Sequence, residues 1–403
     1  MNIKTDQKAI EHFLSHGVER ILPTPEAFKE KLLKGERISA YLGMDATGKL
    51  HLGHALNMMK LAELQAMGHR VILLIGTFTS IIGDPTDKSA ARTQQTTEEV
   101  KEHAKNYLKL ATRFLSFEGE NPCEVRYNGD WYEKMTFAEV IKLSSEFTVQ
   151  QMLERDMFEK RMKEDKPIFM HEFFYPLMQG YDSVVLDVDL EIGGNDQTFN
   201  MLAGRDLLRK LRGKEKFVLA HRLLVDENGA KMGKTTGNGV NLEDDAIDIY
   251  GKVMRWPDTM LIPTYELCTQ LETDEIATIK KSLAGGENPM KYKKDLAYRV
   301  TRWVAGDEAA EKAQAHFESV HQKHEKPEDI AVHEVKEGEH ALVELLVSTG
   351  LCSSKTDARA QIEQGGVRVK DVVSTDPKTM VQIDSEGVLI QKGKRHFVHV
   401  KGV

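Results

Sequence analysis

Three cysteines in 403 residues leave little room for disulfide or metal-cluster chemistry, because Cys123, Cys268 and Cys352 share no ligand spacing and form no even set. A reducing compartment is the expectation. Long apolar runs are missing too. Stretches such as Val71 to Ile75 fall far short of the roughly 20 residues a membrane span needs. The first residues, Met1-Asn2-Ile3-Lys4, lead into polar ones and not into an apolar signal core. The chain therefore reads as cytoplasmic, with no membrane partner. Excess positive charge is also lacking: a net charge of −8 excludes a protein that coats nucleic acid by bulk charge. It does not exclude a local basic surface. No internal repeat or low-complexity segment is present.

The apolar and charged fractions, 40% and 29%, are ordinary for a globular chain. The length suits two or three domains. Residues 38–45 predict a short buried strand. The pattern Leu56, Met59, Lys60, Leu61, Leu64 predicts a helix closing at Gly68, and Val71–Ile75 predicts a strand covered on both faces. Together these make a βαβ unit. A second strand–turn–helix candidate runs from Val184 through Gly193-Gly194 into Met201–Leu211. The expected fold class is α/β, a doubly wound, Rossmann-like domain over residues 1–238, with its site at the carboxyl ends of the strands. A helical domain over 239–325, a polar linker over 326–339 and a compact tail over 340–403 are expected to follow. The tail ends on Lys392, Lys394, Arg395 and Lys401 without an acidic residue from Gln391 onward. Charge alone fits either an RNA-facing surface or a solvated basic end.

Four segments carry candidate chemistry. His51-Leu-Gly-His54 sits where the first strand turns into its helix. A helix start offers free N–H groups and a positive dipole end to phosphate. Two imidazoles three residues apart can add hydrogen bonds as charge builds in a transition state. No acidic or cysteine partner lies at a zinc spacing, so no metal site is expected. Lys231-Met-Gly-Lys234-Thr235 lies in a glycine-rich segment that can close over a triphosphate; read alone, such a segment is more often a solvated turn. It is not a P-loop, since position 228 is Asn. Tyr175, Gln179 and Asp182 fall four and seven apart, on one helical face. Gly193-Gly-Asn-Asp196-Gln197 is a strand-to-helix turn with side chains suited to a ribose or an amino acid.

The order and spacing of these segments resemble the tyrosyl-tRNA synthetases, class I enzymes of bacterial type. His51-Leu-Gly-His54 resembles the family's His-Ile-Gly-His motif, and Lys231-Met-Gly-Lys234-Thr235 its Lys-Met-Ser-Lys-Ser motif. The tail resembles a ribosomal-protein-type α+β RNA-binding module through Leu345-Leu-Val, Ser354-Lys355, Ala358-Arg359, Ile362 and Gly365-Gly-Val-Arg-Val369. The resemblance implies a tyrosine–tRNA ligase using L-tyrosine, ATP with Mg²⁺, and tRNA, acting as a homodimer joined near residues 130–160. It implies His51, His54, Lys231, Lys234 and Thr235 as catalytic donors. Tyr41, Asp84, Tyr175, Gln179, Asp182 and Gln197 would bind tyrosine. Gly43, Asp45, Thr47, Gly194, Asp196 and Lys234 would bind ATP, and Lys88 and Arg92 would meet pyrophosphate. Ser354, Lys355, Arg359, Arg368, Lys392, Lys394 and Arg395 would touch RNA. The segment from Asp45 to His51 is one residue shorter than in many bacterial members, with Ala46 where proline is usual, and Thr198-Phe follows Gln197 in place of Trp-Gly. Alternatives are a tryptophan–tRNA ligase, a small-molecule nucleotidyltransferase, and a non-catalytic RNA-binding protein on a synthetase body.

Overall fold

The computed structural model of the chain describes residues 2–84, 96–225, 239–321, 330–393 and 396–403. It forms two compact units, Met1–Gly306 and Asp307–Val403. In the first unit six strands, β1 (Val18–Leu22), β2 (Ser39–Asp45), β3 (Arg70–Gly76), β4 (Glu124–Tyr127), β5 (Leu190–Gly194) and β6 (Phe217–His221), make one sheet. Their order is β1-β6-β5-β2-β3-β4. All neighbours run parallel except β1, which pairs antiparallel with β6. The chain leaves β2 toward β3 on one side and returns as β5 on the other. That makes the carboxyl ends of β2 and β5 the switch point where a doubly wound sheet opens a crevice.

The apolar run at β3 is buried from Val71 to Gly76, as a parallel strand covered by helices on both faces must be. Helix Leu52–Ala66 packs on β2, β3 and β5 through Leu52, Ala55, Leu56, Met58, Met59, Leu61 and Leu64. Each large apolar side chain buried there contributes about 1.5–3 kcal/mol. Gly68, at φ 93°, ends the turn after it, where a side chain would be strained.

The second strand begins later than expected. Val184 lies in the last turns of helix Met170–Leu186, which stops at Asp187 in the left-handed region, and β5 starts only at Leu190. The β-branched pair Val184-Val185 reads locally as strand, but burial of the helix against Thr198–Arg212 overrides that propensity. Gly180 is what lets the two helices meet: a Cβ there would lie 3.0 Å from the Gly204 amide and 3.1 Å from the Ala203 carbonyl carbon.

The division at residue 306 also differs from the expected boundary at 238. The helical segment is bonded into the sheet's body: Leu52 donates its N–H to the Val240 carbonyl at 3.2 Å, and Arg113 donates to the carbonyls of Leu242 and Val304 at 2.6 and 3.2 Å. In the second unit, β7 (Val332–Val335) and β8 (Gly338–Ala341) occupy most of the described part of the stretch expected as linker. β7 runs parallel to β13 (His396–Gly402), so this stretch belongs to the tail's sheet. With β9 (Val367–Val369), β10 (Val372–Ser374), β11 (Met380–Ile383) and β12 (Val388–Lys392) these strands form a five-stranded sheet, β10-β9-β12-β13-β7, and a two-stranded one, β11-β8. Helices Leu342–Ser348 and Lys355–Glu363 close a core of Leu342, Leu346, Ile362, Val367, Ile390 and Val400.

Candidate active site

Asp45 ends β2 and anchors the crevice. Its Oδ2 accepts from the Tyr175 hydroxyl at 2.9 Å and its Oδ1 from Thr79 Oγ1 at 2.8 Å. The last residue of β3, Gly76, is required by this arrangement, because a Cβ there would fall 2.3 Å from Asp45 Oδ1. Thr47 donates its N–H to the Asp45 carbonyl at 2.7 Å, folding the short connection toward the helix. Gly43 is exposed although it sits in the middle of a central strand with buried neighbours. The sheet is therefore open above Gly43, the shape of a ligand crevice.

The helix that follows begins on the histidine pair. His51 is its N-cap. Its Nδ1 accepts from the Gly53 amide at 3.1 Å, while the His51 amide donates to His54 Nδ1 at 3.1 Å. The rings are tilted by 54° with centroids 4.1 Å apart. With Leu52's N–H on Val240, the helix's first amides are engaged within the protein, so the expected free backbone N–H groups are not on offer at these positions. The dipole end remains. Because both Nδ1 atoms accept, a neutral imidazole carries its proton on Nε2. The pair thus presents Nε2–H donors in place of the amides.

On the other side, helix Met170–Leu186 lays Tyr175, Gln179 and Asp182 along one face. The turn Asn195–Gln197 after β5 adds Asp196 and Gln197. One hydrogen-bonded chain connects Gln179, Asp196 and Gln197. Arg155 pairs with Asp84 Oδ1 at 2.8 Å, and Gln197 Nε2 donates to Asp84 Oδ2 at 2.7 Å and to Asp196 at 3.2 Å. Asn200 bridges Gln197 and Gln179, at 3.0 and 2.9 Å, and Gln179 donates to Glu191 at 3.0 Å. Behind it, the fully buried Lys216 pairs with Glu191 and donates to Ser183 at 2.8 Å. Ser183 in turn meets the Tyr41 hydroxyl at 3.0 Å. Gly194 lies against Asp196, whose Oδ1 would be 2.4 Å from a Cβ there.

Asp182 is 3% exposed. It accepts from Tyr132 at 2.8 Å, Trp131 Nε1 at 3.0 Å and Asn128 at 3.4 Å. Burial pushes its carboxyl up to about 8, against the opposing pull of those donors. Burial also raises the phenols of Tyr41 and Tyr175 well above their usual value, with nearby carboxylates adding to the effect. Both stay neutral.

The structure thus brings together Tyr41, Gly43, Asp45, Thr47, Asp84, Tyr175, Gln179, Asp182, Gly194, Asp196 and Gln197, with His51 and His54 at the helix start after β2. Lys231, Lys234, Thr235, Lys88, Arg92, Lys394 and Arg395 lie outside the described residues. Sequence reasoning missed Arg155, Asn200, Glu191, Lys216 and the Asn128–Tyr132 group. Glu191 had a legible signal, a charge inside the apolar strand Leu-Glu-Ile. In the tail, Ser354 caps helix Lys355–Glu363, and Arg359 and Arg368 are exposed. Lys355 is paired with Glu344 at 2.8 Å. Lys392 turns inward, donating to the Leu351 carbonyl at 2.5 Å, so it braces the module.

An open doubly wound sheet with a His-x-x-His helix start and a polar crevice at its switch point fits a class I aminoacyl-tRNA synthetase. The family described as tRNA synthetases class I (W and Y) matches residues 33–322, and a tyrosine–tRNA ligase C-terminal domain matches residues 322–400. The tyrosine–tRNA ligase of Moorella thermoacetica is 39% identical over 393 residues, 96% of this chain and 94% of its own. That of Thermotoga maritima is 40% identical over 384 residues, 94% of both chains. The fold is shared with a truncated mitochondrial tyrosyl-tRNA synthetase of Coccidioides posadasii (TM-score 0.62, 22% identity, 77% of this chain and 92% of that one). It is also shared with the Archaeoglobus fulgidus enzyme (TM-score 0.59, 21% identity, 76% and 98%). The chain belongs to the tyrosyl-tRNA synthetases, ATP-dependent ligases that join tyrosine to tRNA.

Proposed function

We propose that this crevice activates L-tyrosine with ATP to tyrosyl-adenylate and passes it to the 3′ end of tRNA. The observation that carries the reading is the crevice itself: at the carboxyl ends of β2 and β5 Tyr175 is bonded to Asp45 and Gln197 to Asp84. Tyrosine's ammonium fits the carboxylate-rich side, at Asp84, Tyr175 and Gln179. Its phenol is directed to Tyr41 and Asp182, where it must join or exchange with donors already on the carboxylate. ATP lies over Gly43, with ribose and phosphates toward Asp45, Thr47, Gly194 and Asp196. The tyrosine carboxylate attacks the α-phosphate, and pyrophosphate leaves. Neither this step nor the transfer needs an enzyme nucleophile, so catalysis rests on positioning and charge stabilisation. His51 and His54 donate to the phosphate as charge builds, and Lys231, Lys234 and Thr235 of the glycine-rich segment join them. Mg²⁺ enters as the counterion of ATP's phosphates, part of the substrate. Pyrophosphate exchange with tyrosine and with tryptophan tests the reading; exchange that is stronger with tryptophan overturns it.

The remaining assignments have their own tests. The tail is directed to tRNA through Ser354, Lys355, Arg359, Arg368, Lys394 and Arg395, with Lys392 in a supporting place. Shape and phosphate contacts would dominate, so affinity should fall with salt. A chain ending at His321 is expected to keep pyrophosphate exchange and to lose at least about 90% of tRNA charging, a cut-off we set for this assay; undiminished charging refutes the role. The chain is also read as a homodimer through residues 130–160. Phe137, Ile141 and Val149 expose 78%, 56% and 66% of their surface, an apolar patch of the kind that marks an interface. Sedimentation should give about twice the 45.6 kDa chain mass, and Phe137→Asp with Ile141→Asp should shift it to the monomer. A wild-type monomer would refute the assignment. The three described cysteines are free and buried, which supports a reducing, cytoplasmic setting.

A further inference from the structure

One end of helix Leu52–Ala66 starts the histidine pair; the other carries Glu63. Twelve residues separate His51 from Glu63, about 18 Å along the axis. Here the N-terminal helix Gln7–Ser15 crosses, with His12 in its last turn and His16 as its C-cap. One ligand-capable atom from each of His12, His16 and Glu63 lies within 4.8 Å of the others. The two histidines are four residues apart, the spacing at which helical imidazoles share a metal ion.

The polar bookkeeping of this pocket does not close within the protein. Among the described residues, His12 Nε2, both ring nitrogens of His16 and Glu63 Oε1 are buried without a hydrogen-bond partner. The Thr269 backbone favours a proton on His16 weakly, but closes no well-formed hydrogen bond with it. Buried polar atoms are normally paired, so a cluster of three residues that each carry an unpartnered atom has room in its chemistry for an occupant. A neutral imidazole is the form that ligates metals, and Glu63 supplies the carboxylate of the cluster. Glu63 Oε2 is held by Lys60 at 3.0 Å, and Lys60 also donates to the Phe13 carbonyl at 2.9 Å. That fixes the carboxylate and leaves Oε1 facing away from its own partner. The imidazoles are stacked with centroids 4.7 Å apart and 14° between planes, so binding one ion requires at least one ring to turn out of the stack.

We propose that His12, His16 and Glu63 bind a zinc-type divalent cation. Two imidazoles and a carboxylate are the donor set of that class. The ion would clip the N-terminal helix to the helix that carries His51 and His54, a structural role separate from the ligase chemistry.

The full-length chain, stripped with a chelator and titrated with Zn²⁺ alone, should take up one equivalent. Co²⁺ in its place should give the visible absorption of a low-coordinate site. Zn²⁺ should also raise the melting temperature. The double substitution His12→Ala/His16→Ala should weaken uptake about a hundredfold, and Glu63→Gln about tenfold or more. Should the double variant fold poorly, His12→Asn alone must still abolish the cobalt spectrum. Absence of zinc uptake by the wild-type chain, or uptake unchanged in the variants, overturns the proposal.

Discussion

Replacing His51 with asparagine is expected to slow tyrosine-dependent pyrophosphate exchange by roughly 100- to 1000-fold, the effect of deleting one preorganised donor to a developing oxyanion, while the tyrosine dissociation constant changes by less than about twofold. Asparagine is chosen because His51 has two jobs. Its Nδ1 caps the Gly53 amide, and its Nε2–H is the donor proposed for phosphate. Alanine would remove both and cost about 1 kcal/mol of cap. Asparagine is among the best N-caps and keeps the helix start, so a fall in rate can be assigned to the lost imidazole. His54→Ala is the companion. It removes the acceptor of the His51 amide and leaves the cap in place. Both variants should melt close to wild type and both should be slow. A His51→Asn chain that exchanges pyrophosphate at the wild-type rate would show that the imidazole does not touch the reacting phosphate.

The parts of the fold legible in the sequence are those governed by short-range pattern. The β2–helix–β3 unit could be read because an apolar run, a helical spacing and a terminating glycine follow one another within residues 38–76. The β5 boundary was misplaced because Val184-Val185 looks like strand until the neighbouring helix is known. The tail's start was misplaced because a polar surface strand such as β7, with alternating exposure, has the composition of a linker.

The candidate site divides the same way. Residues inside spaced motifs, from His51 to Gln197, could be named as candidates from the sequence. Those that support them could not. Arg155, Asn200 and Lys216 reach the crevice from three separate elements, and their spacing in the sequence carries no trace of that meeting. Their work is electrostatic. Asp45, Asp84, Glu191 and Asp196 crowd one region, where Arg155 is bonded to Asp84 and Lys216 to Glu191. Such a crevice attracts an ammonium and repels a triphosphate. Phosphates directed toward Asp45 and Asp196 therefore need compensating donors beside them, which the histidine helix start and the lysines of the glycine-rich segment are proposed to supply.

Asp182→Asn should separate recognition from burial. A buried acceptor that meets a phenol is left unpaired when phenylalanine enters, which costs about 1–3 kcal/mol, roughly 5- to 150-fold in preference. The asparagine oxygen can still accept from Trp131 and Tyr132, but its amide now faces the Asn128 amide and offers tyrosine a weaker acceptor. The ratio of kcat/KM for tyrosine over phenylalanine should fall within that range; a ratio that does not move would remove Asp182 from phenol recognition. The same variant carries a signature in stability. An ordinary aspartate titrates near 3.9 when unfolded, and burial holds Asp182 at about 8 in the fold. Between those values the native state binds the extra proton. The stability that Asp182 contributes is therefore complete below about pH 4 and is lost as pH rises toward 8. Asparagine cannot ionise, so relative to the wild type the variant should gain stability with pH across that window. Denaturant midpoints at pH 5 and pH 8 read the difference directly. Parallel midpoints for the two chains would mean that Asp182 is ionised in the fold throughout, with Tyr132, Trp131 and Asn128 outweighing its burial.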